Sequence, residues 1–215
     1  MVIDIIGAPG SGKTTICYRI IRELQNKSVP YIDMTGRKDT PIWMKLYIRA
    51  CMLWVKISPK YRRMYKDIEC RLASYPRTTE KFFHSDRSKI MQDVVCHVFA
   101  HRLYEGKRTI LLNDEGILHK MLPITIQHDV PIDLLFDIYK SFHLDLQLIY
   151  VKSNIDQVFC NSRSRNRHDC DYDEMNDEVL RSYLEDYFAV LNQVLKREKY
   201  VISEINGNSI NFKMN

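Results

Sequence analysis

Nowhere does the chain hold the roughly 20 consecutive apolar residues that a membrane-spanning helix needs, so no such span is expected. Its six cysteines (Cys17, Cys51, Cys70, Cys96, Cys160 and Cys170) include no C-x-x-C pair. That spacing argues against a zinc site or a disulfide framework and for free thiols in a reducing compartment. A secretory signal is not expected either, because Gly7-Ala8-Pro9-Gly10 cuts the first apolar run short. A cytoplasmic protein is the resulting expectation. There is no internal repeat, no low-complexity tract and no interdomain linker. Composition argues against disorder, with 45% of residues hydrophobic and 27% charged, near the globular averages. A chain of 215 residues fits a single domain over 1–215, with room for an inserted helical lobe. Such a chain buries roughly 70% of its unfolded surface and needs no covalent staples.

What is present is unevenly placed. The net charge is only +5, yet residues 37–71 hold ten Lys or Arg against three acids (Asp39, Asp67 and Glu69). Such an excess suits an anionic ligand or a solvated surface.

Val2-Ile3-Asp4-Ile5-Ile6 is a short, β-branched apolar run that feeds directly into glycines, the pattern of a buried strand entering a turn. Residues 14–25 then place Ile16, Ile20, Ile21 and Leu24 at helical spacing. A second strand is expected over 29–34, ending near Asp33, followed by a polar loop. Between 42 and 105 the periodicity is helical and nothing reads as a strand, with breaks at Ser58-Pro59 and Tyr75-Pro76 and a last helix starting near Ser85-Asp86. Further strands are expected at 109–113, 144–151 and 200–205. Helices are expected at 132–142 and 173–197, and another begins behind Asn154 and Gln157. Alternating strands and helices imply an α/β fold with a parallel sheet covered on both faces. Ligands of such folds bind at the carboxyl ends of the strands.

Functional residues follow the strands accordingly. Gly7-Ala8-Pro9-Gly10-Ser11-Gly12-Lys13-Thr14 matches G-x-x-x-x-G-K-[ST] at every fixed position. The glycines permit a backbone whose N–H groups converge on a phosphate, aided by the positive end of the next helix. Lys13 is expected on the β- and γ-phosphates, Thr14 on Mg²⁺, and Thr15 at the edge of the same nucleotide site. Asp114 follows an apolar strand, as a magnesium-holding Walker-B acid does.

The phosphate loop, Asp114-Glu115-Gly116 after the third strand and Arg163-Ser164-Arg165-Asn166-Arg167 after the fourth together resemble the P-loop kinase family, nearest its thymidylate-kinase-like or deoxynucleoside-kinase-like branch. The resemblance implies a three-layer α/β/α P-loop NTPase fold with a five-stranded parallel sheet. It also implies a helical acceptor-binding insert between strands two and three (about 41–105) and a lid after strand four (about 160–172). ATP and Mg²⁺ are the implied ligands. Two departures weigh against thymidylate itself as the acceptor. Asp114-Glu115 stands where that branch has Asp-Arg, and Gly36-Arg37-Lys38 stands where it has arginine-glutamate-proline.

Arg163 and Arg167 are four apart and share a helix face, whereas Arg165 points elsewhere. By similarity to kinase lids, one or two of them are assigned to ATP, where guanidinium forks stabilise the charge of a transferring phosphoryl group. The acidic run from Asp169 to Glu174 is a candidate partner for them in an open state. On the acceptor side, Asp33 and Glu115 are rival general bases. Residues 41–57 form a helix that is apolar nearly all round, except for a narrow stripe of Lys45, Arg49 and Lys56. That helix suits the lining of an anionic acceptor pocket, a core position with snorkelling lysine stems, or a membrane surface. Arg37, Arg62, Arg63, Arg71, Arg77 and Arg87 are further candidates for an acceptor phosphate. Tyr61, Tyr65, Tyr75, Phe82 and Phe83 are candidates for stacking on a base or sugar.

The expected activity is transfer of the γ-phosphate of Mg-ATP to a hydroxyl or phosphate of a nucleotide, nucleoside or sugar-like metabolite. A P-loop ATPase or switch acting on a protein, nucleic-acid or membrane partner is the alternative. It is disfavoured by the lack of switch or base-reading motifs such as N-K-x-D. Nucleic acid is not the expected partner, peripheral membrane contact is a lesser expectation, and either a monomer or a homodimer is compatible. Adenine is weakly preferred over guanine, with Asn206-Gly207-Asn208-Ser209 as a candidate base loop.

Overall fold

The computed structural model describes residues 1–34, 40–164, 172 and 174–199, together with the backbone of 201–203. Arg37, Arg165, Arg167, residues 169–171, Asp173 and the 206–209 loop lie outside the described residues.

β1 (Val2–Ile6) is buried along its whole length and leads through the glycine loop to α1 (Lys13–Asn26) and β2 (Tyr31–Asp33). The helical insert follows as α2 (Ile42–Ile57) and α3 (Pro59–Arg71), then a short hairpin of β3 (Thr78–Thr79) and β4 (Ser85–Asp86), then α4 (Arg87–Tyr104). That hairpin corrects the expectation of an insert without strands. Each of its strands is two residues long, too short to show alternation. β5 (Ile110–Asn113), α5 (Ile117–His128), α6 (Ile132–Ser141), β6 (Gln147–Val151), α7 (Ile155–Ser164), α8 (Asp177–Arg197) and β7 (Val201–Ser203) complete the order. Local chemistry sets several starts. Asp86 caps α4 by accepting from Ser88 N–H at 2.9 Å, and Asn154 caps α7 by accepting from Gln157 N–H at 2.8 Å.

The main sheet has the order β2-β5-β1-β6-β7, and every pairing in it is parallel. Alternation along the central strands sends side chains to two helical layers. Ile3 and Ile5 pack with Ile16, Cys17, Ile20 and Leu24 of α1. Ile6, Leu148 and Tyr150 face the larger core built by α4, α5, α6 and α8. Each large apolar side chain so buried contributes about 1.5–3 kcal/mol. The chain leaves β1 at a topological switch point, with β5 on one side and β6 on the other, and the glycine loop opens there.

Candidate active site

The glycine loop runs between β1 and α1. Gly10 and Gly12 take φ of 84° and 90°, a left-handed conformation that side-chain-bearing residues rarely adopt. Lys13 is buried and donates to the carbonyls of Gly7 at 3.0 Å and Ala8 at 3.1 Å. The Ser11 hydroxyl is buried without a hydrogen-bond partner, an orphan that a phosphate oxygen would satisfy. Thr14 and Thr15 are exposed at the head of α1. Two distant helices brace the loop. Tyr187 of α8 donates to the Gly7 carbonyl at 3.2 Å, and Asn161 of α7 donates to the Gly10 carbonyl at 3.0 Å.

Beside the loop lies a cavity of about 210 Å³ whose wall includes Pro9, Lys13 and Glu115. Tyr172, Tyr183, Tyr187 and Phe83 supply an aromatic side, with the Phe83 and Tyr183 rings 5.7 Å apart and nearly perpendicular. Asp93 of α4 and Lys120 of α5 close it, 3.9 Å from each other. His119, also in the wall, shares a short contact of 2.8 Å with the Tyr187 oxygen through Nδ1. Burial and the charges of Lys13 and Lys120 push its pKa well below the ordinary value, so the ring is neutral. Because the Tyr187 hydroxyl is spent on Gly7, Nδ1 carries the proton and donates to it, which leaves Nε2 as an acceptor. Nε2 stands 3.9 Å from the Glu115 carboxylate, too far for a direct bond.

The turn that carries Asp114 and Glu115 is anchored from β1. Asp4 is fully buried, accepts from Ile117 N–H at 2.9 Å and from the Asn113 side chain, and so holds the start of α5. Desolvation raises its pKa, against the lowering effect of both hydrogen bonds. Asp114 is half-buried at the end of β5, and Glu115 is exposed. Thr14 and Asp114 both offer oxygen, the ligand type Mg²⁺ takes alongside phosphate and water. Among the described residues there is no cluster of three or more His, Cys, Asp or Glu.

Other expected site residues lie elsewhere. Asp33 is buried at the end of β2, an edge strand separated from β1 by β5, and lines a second cavity of about 360 Å³ with Arg22, Tyr31 and Thr40. Lys45 and Arg49 belong to α2, which contributes nothing among the described residues to the cavity beside Lys13. Arg163 donates to the Met175 carbonyl at 2.7 Å and pairs with Asp177 at 2.8 Å, tying α7 to the head of α8. Arg87 is structural: buried, it donates to Tyr75 carbonyl and pairs with Glu69 at 3.2 Å. Sequence reasoning missed Asp4, His119, Asn161 and the Tyr183–Tyr187 pair. Two of these left a trace, Asp4 as a lone acid in an apolar strand and His119 as the residue one helical turn after Glu115.

No protein-family model matches the chain, and no curated protein matches it in sequence. Solved structures do. A deoxyadenosine kinase from M. mycoides with bound dATP superposes with a TM-score of 0.50 at 15% identity, over 95% of this chain and 91% of that one. A shikimate kinase from Bacteroides thetaiotaomicron matches with a TM-score of 0.49 at 14% identity, over 97% and 90% of the two chains. The chain therefore has the P-loop nucleoside- and nucleotide-kinase-like fold.

Proposed function

We propose that the protein is an ATP-dependent kinase that phosphorylates a hydroxyl of a small acceptor seated in the cavity beside Lys13. The observation that carries this reading is the shared wall. The loop lysine, a carboxylate that follows the Walker-B strand and an aromatic face all border one cavity. Tyr183, Phe83 and Tyr172 suit a flat ring such as a nucleobase. Glu115 and the Nε2 of His119 are two acceptors, either of which can take the single proton of an acceptor hydroxyl. The fold shared with a deoxyadenosine kinase points the same way.

In this reading the acceptor oxygen attacks the γ-phosphorus, the bond from that phosphorus to the bridging oxygen breaks, and ADP leaves. The acceptor proton passes to a carboxylate, Glu115 by its place in the cavity wall, with Asp33 as the rival base. Lys13 holds the β- and γ-phosphates, and Arg163, once released from Asp177 and the Met175 carbonyl, would neutralise the charge that develops, with Arg167 as the second candidate. Thr14 and Asp114 would hold Mg²⁺, which when bound neutralises charge on the β- and γ-oxygens.

The test is incubation of the protein with Mg-ATP and a nucleoside panel, read by mass spectrometry. A phosphorylated nucleoside is expected, with Lys13→Ala slower by on the order of 10²–10³-fold and Glu115→Gln slow in turnover while ATP binding persists. Free phosphate and ADP with no phosphorylated acceptor would overturn the reading.

A further inference from the structure

The helix α2 leaves its apolar residues in water. Ile42, Trp43, Leu46, Leu53, Trp54 and Ile57 are between 53% and 77% exposed, although Met44, Cys51 and Val55 on the opposite side are buried in the core. At 100° per residue these six side chains fill a continuous arc of about 120°. Arg49, Lys56 and Lys45 form a strip along one border of that arc, and α2 contains no acidic residue. An exposed apolar face of this size is uncommon on a surface meant for water alone.

Next to the strip, between α2, α3 and α4, lies a cavity of about 270 Å³. Lys56, Arg62 and Lys66 line it, together with Tyr61, Tyr65 and Gln92, over a base of Val55 and Val95. Among the described residues none of those three cations has an ion-pair partner. The cavity is thus a basic, hydrogen-bonding recess at the margin of an apolar face, and it is separate from the cavity beside Lys13.

We propose that α2 is an interfacial helix that docks the protein on a bilayer carrying anionic phospholipid. Its apolar arc enters the acyl boundary, and a headgroup phosphate sits among Lys56, Arg62 and Lys66. Charge complementarity selects this occupant. Apolar side chains bordered by cations, with tryptophan at the boundary, match the layering of an anionic bilayer surface. A second copy packed across a two-fold axis would bring the same acid-free, cationic helix against itself, so like charge would face like. The proposal is independent of which acceptor the enzyme phosphorylates.

Both tryptophans of the chain lie on this face, so its own fluorescence reports docking. Titration with phosphatidylcholine vesicles containing phosphatidylserine should shift the emission to the blue and carry the protein into the vesicle pellet. Vesicles of phosphatidylcholine alone should do neither. The double variant Leu46→Glu, Leu53→Glu changes only exposed positions, keeps both reporters and should abolish pelleting. Lys56→Gln with Arg62→Gln should weaken it by roughly 20- to 30-fold, at about fivefold per cation near an anionic surface. The proposal is overturned if wild-type protein ignores the anionic vesicles, or if the double variant pellets like wild type. It also fails if light scattering shows a dimer that the double variant dissolves while vesicles have no effect, or if inorganic phosphate alone produces the whole emission shift.

Discussion

The imidazole of His119 is bonded to the Tyr187 hydroxyl and faces the Glu115 carboxylate across 3.9 Å, in a place where protonation is unfavourable. Burial lowers the pKa of His97 in the same direction, to about 3, and that of His128 as well. A histidine whose folded pKa is depressed costs stability only when the unfolded chain binds a proton that the folded one refuses. Stability is therefore complete above the ordinary value of 6.5 and is lost as the pH falls below it. Each such histidine should remove up to about 1.4 kcal/mol per pH unit. Urea unfolding at about pH 7 and about pH 5 should show that decline, and His119→Asn should flatten it by one histidine's share. Equal slopes in the two proteins would mean that His119 is not held neutral. The same neutrality serves the proposed chemistry, since a charged ring would compete with Lys13 for phosphate.

At the scale of elements, the start of α5 depends on a strand more than 100 residues away in sequence, because the Asp4 carboxylate occupies the space directly over Gly116. A β-carbon at Gly116 would fall on that carboxylate. Gly116→Ala should therefore cost about 1–3 kcal/mol as an overpacked core position and displace Asp114 and Glu115, slowing phosphate transfer as well. A variant with wild-type stability and turnover would refute the role given to Asp4. The sequence showed the outline of this joint, with the strand before Asp114 and the acids after it, but not α5 itself. Pro123 lies inside that helix, where a sequence pattern reads a break, and burial on most of its sides erases the amphipathic pattern that reveals α1 or α8. In the same way α2 was legible as a helix with a basic stripe, whereas its orientation was not. Periodicity marks which residues share a face and cannot say which face meets the core.

For the whole molecule, the sheet places the phosphate loop, Asp114 and Asp33 at one edge because parallel strands end together, and that much follows from the order of motifs along the chain. What brings Tyr187 and Asn161 to the loop is tertiary packing of α7 and α8, which no local pattern encodes. The consequence is that the loop is tied to the first strand and to the last two helices at once. A ligand that fills it should stabilise the entire fold rather than one segment. Saturating Mg-ATP at about 100 times its dissociation constant contributes about 2.7 kcal/mol by mass action. For a chain of this size that corresponds to a rise of roughly 5–10 °C in the thermal midpoint. Differential scanning fluorimetry should show the rise in wild type and little or none in Lys13→Ala. Asn161→Ala should show a reduced shift, because the Gly10 carbonyl loses its brace and the loop must be ordered at the expense of binding. A wild-type midpoint that does not move with Mg-ATP would remove the nucleotide from this loop, and with it the kinase reading, while leaving the lipid-docking face of α2 untouched.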